Sequence, residues 1–209
     1  MQQNKYLLII FSILSLASCN TGKDIDIYFD DGFIYSAQTT LVSELKKVSY
    51  RKEIKETLLE QDWIKDFRVN FRLNGDIKII ISTKKPVFIW NDKYYIDSEI
   101  QSFNFDNNNT NLVHVFCPSN QLNEAMKIVK FINTEMSPEK ISFNKLDFKY
   151  SSGWTLISDN NIHIRFGKNI TKERFNSFQK SLNYVFAKRS LPSMIDLRYK
   201  DGIAINYGK

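Results

Sequence analysis

Toward the end of the chain, apolar and polar positions alternate. Ile195, Leu197 and Tyr199 take turns with Asp196 and Arg198, and Ile203 and Ile205 resume the alternation after Lys200-Asp201-Gly202. A period of two belongs to a strand with one buried face. Asp-Gly accepts the positive φ of a tight hairpin. The stretch predicts two closing strands, the last at a sheet edge with main-chain groups free for another chain. A hairpin that only completes a core has the same period, so alternation alone leaves both readings open.

Ile25, Ile27 and Phe29 predict a short strand, and Asp30-Asp31-Gly32 turns the chain. Leu41 and Leu45 share a helical face in a segment that Ser36 is placed to cap, and Ile54–Leu59 repeats the helical spacing. Phe67–Leu73 alternates strictly, Asn74-Gly75-Asp76 marks a hairpin, and Ile77–Ile81 returns. The order is β-α-α-β-β. Further strands are expected at Val87–Trp90, Tyr94–Ile96, Val113–Phe116, Ile141–Tyr150, Trp154–Ser158 and Ile162–Phe166, with a turn at Asp159-Asn160-Asn161. Two amphipathic helices interrupt them. One is Asn123–Glu135, with Ala125, Ile128, Val129 and Ile132 on one stripe. The other is Lys172–Lys188, opened by Thr171, with Phe175, Phe178, Leu182, Val185 and Phe186 on its stripe.

Composition adds little to the fold and more to the setting. A hydrophobic fraction of 43% and a charged fraction of 25% over 209 residues suit an ordered globular chain. The net charge of +6 comes from basic residues interleaved with acidic ones, which argues against a nucleic-acid partner. Tyr6 to Ala17 is an apolar run behind one positive charge, Lys5, and no charge follows until Lys23. The run fits either a short transmembrane segment or a signal of lipoprotein type, with Leu16-Ala17-Ser18-Cys19 as the processing box and Cys19 lipidated. Either way the rest of the chain is expected beyond the membrane. The only other cysteine, Cys117, reads as a small core residue. His114 and His163 lie in alternating runs with no second His or Cys at ligand spacing, so no metal site is expected. No nucleophile elbow or phosphate-binding glycine loop occurs, and neither enzyme activity, nor a cofactor, nor a small-molecule substrate is expected.

Several motifs carry a resemblance. The β-α-α-β-β order is that of a POTRA domain, a module that holds other polypeptides. Trp63-Ile64-Lys65-Asp66-Phe67-Arg68-Val69, Pro86-Val87-Phe88-Ile89-Trp90 and Tyr94-Tyr95-Ile96-Asp97 with Phe103 resemble the FtsQ/DivIB cell-division family. So do Trp154-Thr155-Leu156, Ile162–Gly167, Glu173-Arg174-Phe175 with Phe178, and the closing Asp196-Leu197-Arg198-Tyr199 followed by Gly202 and Ala204. The likeness runs in order from about Ser36 onward. It departs at Thr83-Lys84-Lys85, where the family often has an acidic residue, and at Leu73-Asn74, in place of Trp-Pro. The family's hairpin glycine is replaced by Ile100 or Gln101. Only Met1–Lys5 precedes the apolar run, where family members carry a cytoplasmic tail.

The resemblance implies an α+β protein in three parts. Residues 1–22 would be the membrane anchor, 24–85 a POTRA domain, and 86–209 a mixed β domain with two helices and a C-terminal edge hairpin. It implies a non-catalytic divisome scaffold of the bacterial inner membrane, single-pass, with the C-terminal domain in the periplasm. Its partners would be FtsB and FtsL. In the family the last strand receives a strand of FtsB. Carried over by position, Arg198 would meet a partner carboxylate and Tyr199 would anchor an aromatic contact. Gly202 would allow close approach, Ile203, Ala204 and Ile205 would form the pairing edge, and Arg174 would add a second acidic contact, although a solvated helix arginine looks the same in sequence. The alternative is a POTRA-type protein of outer-membrane protein assembly or transport, which would expect repeated units or a following barrel.

Overall fold

A computed structural model describes residues 24–32, 34–48, 50–106, 111–136, 141–188, 190–199 and 202–208. The anchor expected over residues 1–22, Cys19 included, lies outside them, as do Lys200 and Asp201. Among the described residues no helix is long and apolar enough to cross a membrane.

Among the described residues the fold is α+β, with two mixed sheets and four α-helices. The first elements are β1 (Ile25–Phe29), α1 (Ala37–Leu45), α2 (Arg51–Leu59), β2 (Ile64–Phe71) and β3 (Ile77–Thr83), the β-α-α-β-β order read from the sequence. The strands lie in the order β1-β3-β2, with β1 parallel and β2 antiparallel to β3. Ile77, Ile79 and Ile81 of the central strand share one core with Leu41 and Leu45 of α1 and Ile54 and Leu58 of α2. Each such side chain, fully buried, contributes about 1.5–3 kcal/mol.

Ser36 does not cap α1 with its side chain. Its own backbone is helical at φ −61°, and its N–H, 2.8 Å away, and its hydroxyl bond instead to Oδ2 of Asp106. The fully buried Gln38 ties the entry of the helix, its Oε1 accepting from the N–H groups of Ile34 and Tyr35 and its Nε2 donating to the carbonyl of Gly32.

The second sheet is built from β4 (Pro86–Trp90), β5 (Tyr94–Asp97), β6 (Ser102–Asn104), β7 (His114–Phe116), β8 (Phe143–Lys149), β9 (Gly153–Ser158), β10 (His163–Gly167), β11 (Met194–Asp196) and β12 (Ala204–Asn206). Two helices interrupt them, α3 (Leu122–Glu135) and α4 (Lys172–Lys188). The spatial order is β12-β11-β10-β9-β8-β7-β4-β5-β6. The pairs β4–β7, β7–β8 and β10–β11 are parallel and the rest antiparallel.

The two faces of this sheet are distinguished by register. One cross-strand row, Val115, Leu146, Leu156, Ile164 and Ile195, is buried in a core with Val129 of α3 and Phe178 and Leu182 of α4. A second row, on the opposite face, runs Phe103, Tyr95, Ile89, His114, Lys145, Ile157, His163, Met194 and Asn206 across all nine strands. Its apolar end, Phe103, Tyr95 and Ile89, belongs to the core of the first sheet. There the ring of Tyr35 lies 5.7 Å from Trp63, 6.0 Å from Tyr95 and 5.9 Å from Phe103, and its hydroxyl donates to the carbonyl of Lys84. The stretch near Lys84–Pro86 is thus flanked by a core that both sheets share. Burial, followed by the charges of Tyr95, Asp106 and Asp31, raises the Tyr35 hydroxyl far above its ordinary pKa.

Ile100, which with Gln101 stands where the resembling family has its hairpin glycine, adopts φ +62°, a conformation that a β-branched side chain opposes. Cys117 is buried, as read from the sequence, and burial pushes its thiol up to about 11 despite the lowering effect of Trp90.

Candidate functional site

The last strand is an edge. β12 is the terminal strand of the nine-stranded sheet and pairs antiparallel with β11, Met194 opposite Asn206, Ile195 opposite Ile205 and Asp196 opposite Ala204. The closing hairpin differs from its sequence reading in one respect. The alternating run through Tyr199 does not stay in the ladder: β11 ends at Asp196, and β12 begins only at Ala204. The cause is local. Leu197 still gives its N–H to the carbonyl of Arg165, the next rung of the β10–β11 ladder, but the Asp196 carboxylate takes the N–H of Arg198, which therefore does not enter a ladder with β12. Gly202 accordingly is not left-handed, and a Cβ there would meet nothing within 4 Å. Space, rather than a strained turn, surrounds it.

The side chains singled out in sequence come together beside that edge. Arg174, Arg198, Tyr199, Gly202 and Ile203 line one groove of about 570 Å³, with Leu197 among its walls. Tyr199 is 61% exposed, although its aromatic bulk would favour burial. Ala204 is exposed, whereas Ile205 turns inward and packs against the core of the second sheet. Ile205 therefore offers a partner its main chain more than its side chain.

Neither arginine stands free. Nη1 of Arg174 donates to the carbonyl of Phe166, which fixes the first turn of α4 against the end of β10. Thr171 precedes this helix, and its hydroxyl accepts the N–H of Arg174 at 3.4 Å, the capping role read from sequence. Arg198 grips Asp196, with Nε 2.8 Å from Oδ1 and Nη2 2.6 Å from Oδ2. Burial alone would raise the Asp196 carboxyl. The hydrogen bonds and charge of Arg198, with the charge of Arg165 behind them, outweigh it and hold the group below the usual carboxylate value. The carboxylate foreseen as a partner's for Arg198 is thus supplied within the chain, while 39% of the Arg198 side chain remains open to solvent.

Two residues essential to this geometry were not singled out as site residues. Gly167, at φ +80°, lies under both arginines: a Cβ there would come 2.8 Å from Nη1 of Arg174 and 3.0 Å from Cγ of Arg198. Gly153 packs against it from beside Trp154, the ladder partner of Gly167, and a Cβ added at Gly153 would fall 2.0 Å from the Gly167 carbonyl carbon. Asp196 is the other, only 2% exposed. Gly167 and Asp196 both stand inside motifs that the sequence displays, but alternation marks only which face a residue takes, not what it holds. Chemically, the arrangement offers a sheet edge beside which no further strand lies among the described residues, an exposed aromatic and two oriented guanidinium groups. These are means of binding a polypeptide.

Elsewhere, Nδ1 of His114 meets Asp92 at 2.6 Å and Nε2 of His163 lies 3.2 Å from Oδ1 of Asn161. Among the described residues, no three His, Cys, Asp or Glu side chains gather as a metal would require.

Comparison with known proteins meets this geometry. A family model, Cell division protein FtsQ/DivIB, C-terminal, matches residues 88–198, from β4 through Arg198, and stops before Tyr199 and β12. Cell division protein FtsQ of Neisseria meningitidis serogroup B is 22% identical over 182 residues, which cover 83% of this chain and 77% of that protein. The FtsQ of Neisseria gonorrhoeae is 21% identical over 69% of this chain and 60% of its own length, and that of Escherichia coli K12 is 23% identical over 73% and 58%. The matched family region is more than half of the chain and contains most of β4, the strands β5 to β11, both helices of this sheet and the two arginines of the groove. The chain belongs to the FtsQ/DivIB family of cell division proteins.

Proposed function

We propose that the protein is a non-catalytic scaffold of the division machinery that captures an FtsB-like partner, with FtsL, by strand addition at β12. The observation that carries this reading is the convergence of a sheet edge, open among the described residues, and a lined groove. β12 ends the sheet, and Tyr199, Arg174, Arg198, Gly202 and Ile203 border a groove beside it. A strand laid along Ala204–Asn206 gains main-chain hydrogen bonds, and the groove selects its side chains. Tyr199 is the aromatic anchor. The two arginines present positive charge whose direction is fixed by Phe166 and Asp196, so little side-chain freedom is lost on binding.

In this reading residues 24–85 are a recruitment unit of POTRA type and residues 86–209 the FtsQ-type β domain, joined through the core around Tyr35. Residues 1–22 hold the chain in the inner membrane, and the rest works in the periplasm at the septum, linking early and late components.

The test is binding of the full chain to the C-terminal segment of the same organism's FtsB-like protein, followed by calorimetry. Tyr199→Ala is expected to weaken binding by about tenfold or more, as the loss of an aromatic anchor does, with circular dichroism unchanged. Undiminished binding by a folded Tyr199→Ala protein would remove the groove from the reading.

A further inference from the structure

The first sheet has two ends, and they are built differently. At one, Lys84 gives its N–H to the carbonyl of Trp63 at 2.9 Å, and the chain passes into the second sheet beside the core around Tyr35. The other is where the described residues begin. There Ile77 gives its N–H to the carbonyl of Asp24 at 2.9 Å, which sets Asp24 beside the β2–β3 turn. Arg51, the first residue of α2, lies over the ring of Phe71 at 4.2 Å, so the start of α2 reaches the same end.

This end carries bare apolar tips. Leu73, in the β2–β3 turn, is fully exposed, and Tyr50, just before α2, is 70% exposed. One exposed leucine is ordinary on a protein surface. Its setting is less so. Lys46, Lys47, Arg51, Lys52 and Arg72 stand at the same end, all exposed, and are matched there by Asp24, Asp26, Glu53, Glu56 and Asp76. Arg72 pairs with Asp26 at 3.8 Å and Lys52 with Glu56 at 3.7 Å. Balanced charge favours no ligand of one sign. Long basic side chains around apolar tips suit an interface instead, because their stems lie on apolar surface while their charges stay in water.

Chain length names the interface. The apolar run ends at Ala17, and an anchor lipidated at Cys19 would end there. From Ala17 to Asp24 the chain spans at most about 25 Å, and from Cys19 about 18 Å, at about 3.5 Å per residue. Either anchor tethers the β2–β3 turn within that reach of a bilayer. The join to the second sheet lies farther off by the seven residues of β3, about 23 Å.

We propose that the β2–β3 turn and the start of α2 rest, through Leu73 and Tyr50, in the lipid interface of the membrane that anchors the chain. This rests on the reading of residues 1–22 as an anchor. Leu73 enters the boundary between headgroups and acyl chains, and the Tyr50 ring lies at headgroup depth. Arg51, Lys52 and Arg72 keep their charges at the surface. Anchor and tip then hold the first sheet at two points. Because its other end shares a core with the second sheet, the β12 edge is presented at a set height above the bilayer.

The experiment reads tryptophan emission of the full chain reconstituted in phosphatidylcholine vesicles, with and without lipid brominated near the top of its acyl chains. The variants are Leu73→Trp and, as a control, Leu59→Trp, since Leu59 is 73% exposed at the other end of α2. The native tryptophans give both the same background, which the unaltered chain measures. The added emission of Leu73→Trp is expected to be quenched about twofold or more by brominated lipid, and that of Leu59→Trp not at all. Circular dichroism stays unchanged in both. Unquenched Leu73→Trp in a chain that sediments with the vesicles overturns the proposal and leaves the anchor standing. Equal quenching of the two variants overturns it as well, because the contact is then not made by the tip. A chain that does not sediment with the vesicles removes the anchor and the proposal with it.

Discussion

The guanidinium of Arg198 closes on the carboxylate of Asp196, with Nη2 2.6 Å from Oδ2, while the backbone N–H of Arg198 bonds the same carboxylate at 3.1 Å. One buried acid thereby ends β11, turns the chain toward Tyr199 and aims an arginine along the groove. The motif Asp-Leu-Arg-Tyr is a small device in which each residue depends on its neighbour, with Leu197 locked into the core between them.

Acid should dismantle this device. The folded pKa of Asp196 lies below its ordinary value. Its contribution to stability is therefore complete above the unfolded value of about 3.9 and is lost as pH falls through the lower, folded one. Asp196→Asn is expected to lower stability at neutral pH by about 1–2 kcal/mol, as the loss of a charge-assisted hydrogen bond does. It should also flatten the stability profile below about pH 4. Urea unfolding at a series of pH values measures both. An unchanged acid limb in the variant would contradict the account.

Gly167 and Gly153 are expected to tolerate no side chain. Gly153→Ala drives a Cβ into the Gly167 carbonyl, a backbone contact that cannot swing away. It should cost about 2 kcal/mol or more, combining overlap with left-handed strain. Gly167→Ala meets the softer ends of Arg174 and Arg198. It should cost less stability but weaken partner binding, because both arginines must shift. Thermal unfolding and calorimetry on the two variants separate these effects.

Ile100 carries its own strain. At φ +62° its branched side chain opposes the backbone, while part of that side chain packs against the second core. Ile100→Gly should release about 1–2 kcal/mol of left-handed strain while losing part of the burial. The net change is expected within about 1 kcal/mol, well below the usual cost of emptying a packed isoleucine site. A loss of several kcal/mol in denaturant unfolding would show that the turn is not strained.

Cys117 should be inert in the folded chain. It is 6% exposed, and its thiol is pushed up to about 11, whereas the thiolate is the reactive form. At pH 8, peptide mapping after maleimide treatment is expected to find Cys117 modified only at the rate of unfolding, and promptly in denaturant. Rapid labelling of the native chain would contradict its placement.

Much of this architecture was legible in the sequence because it depends on period. The helix Lys172–Lys188 and the strands around Ile79 and Leu156 are fixed by which positions are apolar, and the structure places them so. Arg174, Arg198 and Tyr199 were joined in one expected site only by the resemblance to the family, and the fold places them along one groove. Contacts between distant residues were not legible. Nothing in the spacing of Tyr35, Trp63, Tyr95 and Phe103 announces one aromatic core, since periodicity assigns a face but not the element that covers it. Ser36 misled because its sequence context suits a cap, while Asp106, far along the chain, takes its hydrogen bonds. The hairpin was read as tight because Asp201-Gly202 suits such a turn and the alternation runs on to Tyr199, with nothing in it to set apart Asp196. Its carboxylate, buried and paired with Arg198, instead ends the ladder.

The most direct test of the central claim is amide hydrogen exchange of the full chain with and without the FtsB-like segment. Strand addition predicts new protection at Ala204–Asn206 and at the groove residues around Tyr199, with β2 and the other strands of the first sheet unchanged. Tight binding that leaves Ala204–Asn206 exchanging as in the free chain would contradict it.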